Sequence, residues 1–380
     1  MSPTSAAVVE SPWPRSEPPG LTPDAEQVQL RESLRGLLGK YSDIDQVRAA
    51  ADTDPGYSPH LWRILADEMS VAGLAVPEQY GGLGYGTAEL AVVLEECGRA
   101  LVCEPVYSSA VLGAHALLTA PEAEGNLLPE VLTGDLVATV SALGPDTDDL
   151  RATPGPHGWR ADGTVTHLIG GGSADIVIAS AETADGSRLF ALRLPEDTVR
   201  TERRVLDPTR RQADIAVLDC PAVPLTTPDA TEAASTRLRD LATLALACEN
   251  TGTIDRLLEM TVAYAGTRRQ FGRPIGSFQA VKHRLADLLV ALERARSASR
   301  YAAALYAEDP DSARLAVAVA GAVCTDAAVH AASEAVQLHG GVGFTWEHAA
   351  HSYFRRVLGN EAAQGDARSH RARVAALIGV

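Results

Sequence analysis

Two helical repeats joined by a short Gly/Pro turn, in YAGTRRQFGRPIGSFQAVKHRLADL at residues 264–288, restrict the folds open to this chain more than any other stretch. Upstream, Leu257, Leu258, Thr261, Val262 and Tyr264 recur at helical spacing, and Val281, Leu285, Leu288, Leu289 and Leu292 resume it beyond Gly272-Arg273-Pro274. Two helices must therefore pack side by side. The turn gathers Arg268, Arg269, Gln270, Phe271 and Arg273, more than a simple reversal of direction needs. Guanidinium forks suit phosphate oxygens, and a neighbouring aromatic edge can pack on adenine. The plainer alternative is a solvated basic helix end, which the helix macrodipole also favours.

Around this stretch, Ala- and Leu-rich runs at 238–265, 278–308 and 313–338 predict long helices. The last closes on QLHGG at 337–341, where paired glycines either cap the helix or let backbone approach a ligand. Residues 1–20 carry Pro3, Pro12, Pro14, Pro18 and Pro19 and read as a mobile tail. Thr22 is placed to cap a first helix with Pro23 at its first position, and Val28, Leu30, Leu34, Leu37 and Leu38 form its apolar stripe. Helices are expected at 61–71, 88–99, 106–118 and 127–132. Beyond Gly134 the texture changes to short β-branched runs at 137–140, 157–160, 165–169, 175–180, 188–194 and 214–218. The expected division is a tail at 1–20, a helical domain at 21–135, a β-domain at 136–228 and a helical bundle at 229–380: mostly α with a central β-domain.

With 380 residues, 46% of them apolar, the chain can bury a sizeable core. Its 33 basic and 49 acidic residues leave a net charge of −16, which argues against general binding of nucleic acid or anionic lipid. Cys97, Cys103, Cys220, Cys248 and Cys324 form no CxxC pair, so they read as small buried residues of a reduced, cytoplasmic setting rather than as disulfides or a zinc site. No stretch reads as a membrane span, and the N-terminus lacks the layout of a signal peptide.

The 264–288 string resembles the signature of the acyl-CoA dehydrogenase family, in which a tyrosine-bearing helix ends in R-x-Q-F-G, followed by P-I, F-Q and L-A-D. Here these are Tyr264, Arg268, Gln270, Phe271, Gly272, Pro274, Ile275, Phe278, Gln279, Leu285, Ala286 and Asp287. Similar agreement appears in P-E-x-Y-G-G-x-G with E-E-x-G-R (Pro77, Glu78, Tyr80, Gly81, Gly82, Gly84, Glu95, Glu96, Gly98, Arg99) and in Q-x-x-G-G-x-G-F (Gln337, Gly340, Gly341, Gly343, Phe344). The resemblance implies a helical N-domain, a β-barrel-like middle domain and a C-terminal four-helix bundle. It also implies an FAD shared between subunits, whose pyrophosphate and adenosine would be held by Arg268, Gln270, Phe271, Gln279, Gln337, Leu338, His339, Gly340 and Gly341.

The departures fall at the other end of that cofactor. The family's flavin-cradling T-E-P-x-x-G-S-D is replaced by VSALGPDTDD at 140–149, and Ile169 stands where a threonine would face the flavin. Dehydrogenation of an acyl thioester needs a carboxylate for the α-proton. The usual base position, counted from Arg355, falls on Gln364, and the minority position on Ala242. Asp240, Glu249 and Glu361 are the nearby carboxylates; Glu361, one turn before Gln364, is carried as the candidate base, although exposed carboxylates are usually only solvated. His348 and His351 suggest metal spacing but lack a third ligand, which favours a polar helix face and no metal. TWEHAAHSYFRRV at 345–357 is similar to subunits of heteromeric actinobacterial members, so the expected role is supply of the adenine-side contacts to a homologous partner acting on an acyl-CoA or carrier-bound thioester. A self-sufficient enzyme, as a homo-oligomer with a relocated base or a redox-neutral step, and a structural homologue are the alternatives.

Overall fold

The computed structural model describes residues 21–141 and 149–380. The expected tail at 1–20 and most of the replaced flavin segment, 142–148, lie outside the described residues.

The N-terminal third is helical. α1 (Ala25–Tyr41) is capped by Asp24 rather than Thr22: the carboxylate accepts from the Gln27 N–H at 2.8 Å, being the acceptor next to the first turn. α2 (Ile44–Ala51), not foreseen from the sequence, starts on a capping box between Asp43 and Gln46. The helix expected at 61–71 is shorter and broken: α3 (Pro59–Arg63) passes into a π-helical turn, Ile64–Glu68. α4 (Thr87–Ala100) follows the glycine loop, then a π-helical stretch, Val106–Gly113, leads into α5 (Ala114–Leu117), and α6 (Leu128–Leu132) ends the layer.

Seven strands come next: β1 (Ala138–Val140), β2 (Asp149–Gly155), β3 (Gly158–Ile169), β4 (Ile176–Thr183), β5 (Gly186–Arg193), β6 (Val199–Glu202) and β7 (Gln212–Pro224). The runs expected at 157–160 and 165–169 are one continuous strand, β3. β4 pairs with β5 along one edge and with β1 and then β2 along the other, while β3 and β7 link β2 to β5, so the sheet closes on itself. Val165, Val177, Phe190 and Ile215 fill the barrel as a core of its own.

α7 (Pro228–Thr267) has 40 residues, about 60 Å of helix. It leads through a small hairpin, β8 (Arg269–Gln270) and β9 (Arg273–Pro274), into α8 (Gln279–Glu308), α9 (Arg314–His339), α10 (Ala350–Gln364) and α11 (Ala367–Ile378). The segment Arg314–Phe344 is long and apolar enough to cross a membrane by length and composition, which corrects the expectation that no stretch is. It is mostly buried, and its Ala316, Ala320, Ala328, Ala331 and Ala335 are bundle core, so its apolarity is that of a central helix packed against α7 and α8.

α4 and α7 touch backbone to backbone. A Cβ on Gly98 would sit 2.0 Å from the Glu249 carbonyl oxygen, and one on Gly252 would sit 1.7 Å from that of Glu95. Only glycine permits this crossing. Glu95 and Glu96, the two acids of the E-E-x-G-R motif, are buried and answered by Arg31, Arg35 and Arg300 from two other helices.

Candidate functional site

The residues singled out for dinucleotide contact gather at one end of the bundle. Tyr264, in the last turn of α7, stacks on His339 at the end of α9 with ring centroids 4.5 Å apart, so the Arg268 turn and the Gly340-Gly341 turn are neighbours. An Arg284–Glu334 ion pair ties α8 to α9 just below them, which brings Gln279 and Gln337 to the same end. Phe271 (φ 50°) and Gly272 (φ 79°) form the left-handed turn of the β8–β9 hairpin. That turn holds the Phe271 ring 91% exposed. Phe278 meets it edge-on at 6.0 Å, and the Arg273 guanidinium lies 4.0 Å over the Phe278 ring.

Arg268, Gln270, Gln279 and Gln337 are exposed, and a Cβ on Gly340 or Gly341 would meet nothing within 4 Å. Leu338 is half-buried and His339 is buried, with its Nδ1 2.7 Å from the Ala335 carbonyl and its Nε2 unpartnered among the described residues. Leu338 and His339 therefore support the turn from inside while the others line it. His348 and His351 are half-buried in ring contacts, His348 with His339 at 4.1 Å and His351 with Trp346 at 4.7 Å; they do not share the polar helix face expected of them, because His348 lies ahead of α10. No cluster able to hold a metal ion occurs among the described residues.

The interior between the three layers is occupied by charge. Arg356 of α10 is buried; its Nε donates to Asp207 at 2.6 Å, its Nη1 to Glu249 at 3.0 Å, and its Nη2 to the Val102 carbonyl and to Thr209. Arg210 donates to Glu249 and Asn360, both about as tightly as a hydrogen bond allows. Burial alone would raise the Glu249 carboxyl, but Arg210 and Arg356 outweigh it and hold it at about 2. A carboxylate so held is a poor proton acceptor. Asp240 is raised, by burial, against the opposing pull of Arg373 and Arg314. Both are buried and paired, not the exposed, solvated groups expected from the sequence.

Glu361 is half-buried and, among the described residues, has no side-chain hydrogen bond or ion pair. Gln364, at the usual base position, donates to the Tyr107 hydroxyl at 3.3 Å. Beside it Ile169, Gly170, Ser173, Tyr107, Glu104 and Arg210 line a cavity of only about 40 Å³. That is room for a water or two.

The sequence around these features matches two family profiles: "Acyl-CoA dehydrogenase, N-terminal domain" over residues 24–135 and "Acyl-CoA dehydrogenase, C-terminal domain" over residues 233–379. The chain belongs to the acyl-CoA dehydrogenase family. Among curated relatives it is 37% identical to acyl-CoA dehydrogenase IpdE2 of Mycobacterium tuberculosis over 90% of this chain and 93% of that one. It is 36% identical to IpdE2 of Mycolicibacterium smegmatis over 93% and 99%. Of solved structures, the ChsE4-ChsE5 complex from Mycobacterium tuberculosis matches with a TM-score of 0.84 at 29% identity, covering 94% of this chain and 98% of that one. The Tcur3481-Tcur3483 steroid ACAD matches at 0.81 and 28%, covering 93% and 98%. The acyl-CoA dehydrogenase fold thus spans more than nine-tenths of the chain.

For an FAD-dependent family the two ends of the cofactor test differently on this chain. The Arg268 side chain, without a partner among the described residues, and the open glycines suit a pyrophosphate. The small cavity beside Ile169 does not suit a flavin ring, and the Ile169 carbonyl is already engaged by the Thr139 hydroxyl at 2.6 Å.

Two charged side chains at this cavity escaped the sequence reading. Glu104 lines the small cavity, nearly buried, with its carboxyl raised by burial and the Ser58 N–H as its hydrogen-bond donor. Arg210 closes the same cavity. No local pattern marks either one, because each acquires its setting from a segment distant in sequence.

Proposed function

We propose that this chain is a subunit of an FAD-dependent acyl-CoA dehydrogenase assembly, in which it supplies adenine- and pyrophosphate-side contacts to an FAD whose ring is seated in a homologous partner chain. One observation carries the reading: the bundle end with Arg268 and Gly340-Gly341 is open, while the interior beside Ile169 and Gln364 is filled by the Arg356–Glu249–Arg210 cluster. The likeness to the ChsE4-ChsE5 complex and to the Tcur3481-Tcur3483 steroid ACAD, each a pairing of two different chains, supports a hetero-oligomer.

The reaction class is α,β-dehydrogenation of an acyl thioester, on coenzyme A or a carrier. When bound, FAD supplies the acceptor for the β-hydrogen as hydride, and a carboxylate must take the α-proton. This chain's part is to bind and orient. Arg268 and Gln337 hold the dinucleotide end, Gly340 and Gly341 admit its backbone-close approach, and Phe271 and Gln279 border it. Gln364, an amide hydrogen-bonded to Tyr107, takes no proton, and the Glu361 carboxylate has no side-chain hydrogen bond or ion pair among the described residues. The partner provides the base.

Purification tests this directly. Expressed alone, the chain should be colourless; co-purified with its homologous partner from the native cell, it should be yellow, with fewer flavins than chains. Arg268→Ala should strip FAD from that complex. One FAD per chain in the isolated protein would sink the reading.

A further inference from the structure

The basic end of the bundle concentrates positive charge in an acidic chain. Residues 260–286 contain no Asp or Glu but five cations, in a chain of net charge −16. Among the described residues only Arg284 is answered by an acid, Glu334. Among the described residues the side chains of Arg268 and Lys282 have no hydrogen-bond or ion-pair partner, Arg269 donates to the Gly272 carbonyl at 3.0 Å, and Arg273 lies over the Phe278 ring. Arg268, Arg269, Arg273 and Lys282 are all exposed.

The aromatic part of this end is set in place before any ligand arrives. Phe271 is a non-glycine residue at positive φ, a conformation that is seldom adopted without a local reason. The hairpin that imposes it keeps the ring in solvent.

We infer that the free chain is a receptor for a nucleoside diphosphate such as ADP, and that ADP bound there competes with docking of the FAD-bearing partner. The second half of this inference rests on the function proposed above. An internal pyrophosphate carries one charge per phosphorus, whereas the terminal phosphate of ADP carries about −1.5 to −2 at pH 7. Free ADP therefore matches four cations that have no acidic partner among the described residues better than FAD does. The Arg268 and Arg273 forks suit its phosphates and the Phe271 face suits its base. Assembly would then respond to the ratio of ADP to FAD-loaded partner.

Calorimetric titration of the full chain, purified alone, with ADP and with inorganic pyrophosphate tests the first half. ADP should bind more tightly than pyrophosphate. Arg268→Ala should weaken both by about tenfold, and Phe271→Ala should weaken ADP alone. The second half is read on the tagged complex from native cells, where millimolar ADP should release the yellow partner. No heat with ADP from a chain that is folded by circular dichroism, or equal affinity for ADP and pyrophosphate, overturns the receptor. ADP binding with no effect on the complex overturns the competition. If instead the Arg268→Ala complex keeps its full FAD, it is the proposed function that fails, whatever the free chain does with ADP.

Discussion

Glu249 shows how a residue that reads as a candidate base becomes a strut. It lies on the first bundle helix near the family's minority base position, yet two guanidiniums and Asn360 surround it. Because its folded pKa, about 2, lies below the ordinary 4.5, its stabilising contribution is complete above about pH 4.5 and is lost as pH falls toward 2. The size of that contribution is about 3 kcal/mol. Glu249→Gln should therefore flatten the acid limb of the thermal midpoint against pH in that window; an unchanged limb would show that the pairs do not hold. Arg356→Met should act more severely, since it leaves Asp207 and part of Glu249 buried without their cation. A loss of about 3–5 kcal/mol is expected in urea unfolding. Neither substitution removes a group expected to touch the thioester.

At the scale of elements, the α4–α7 crossing and the 340–351 segment each make a prediction. Gly98→Ala and Gly252→Ala place a methyl where the other helix has backbone, so no side chain can swing aside. Each should cost at least the roughly 1–3 kcal/mol of an overpacked core, read as a lower midpoint in urea. His348 is held at about 4, first by burial and then by His339, His351, Arg256 and Arg48 around it. As its folded pKa lies below its ordinary 6.5, the neutral ring favours the fold above that pH, and the advantage fades as pH falls toward 4. Amides of 340–351 should then exchange faster at pH 5 than at pH 7 after correction for intrinsic rate, and His348→Gln should remove the difference. The long helices were legible because the 3.6-residue spacing of Leu and Ala is a local signal; α8 and α9 lie within a residue of where that spacing puts them, while α7 starts at Pro228, well before the run at 238–265. β2 and β6 were not, since DLRATPG and VRTE are polar and become strands only by pairing with β3 and β7. Arg268 and Gly340 were legible as a pair through a resemblance; that Tyr264 and His339 join them is a tertiary fact with no periodicity behind it.

Across the whole molecule, the polar cluster spans all three layers: Val102 and Tyr107 from the helical domain, Asp207, Thr209 and Arg210 from the segment around the barrel, Glu249, Arg356, Asn360 and Gln364 from the bundle. Buried charges of this kind are costly to leave unpaired, so the cluster resists being opened by small changes at its edge. This decides what repair of the missing family residues would do. Ile169→Thr with Gln364→Glu restores the two letters whose loss is most conspicuous, but the new carboxylate would meet Tyr107 and lie toward Arg210, and the space beside it would still be about 40 Å³. The double variant should therefore assemble with its partner, keep the same flavin content per complex and turn over thioester at the unmodified rate within about twofold. If flavin content doubles, measured by absorbance against protein concentration, the interior can admit a ring after all. The Arg356–Glu249–Arg210 cluster would then be a displaceable filling rather than the reason this chain depends on another.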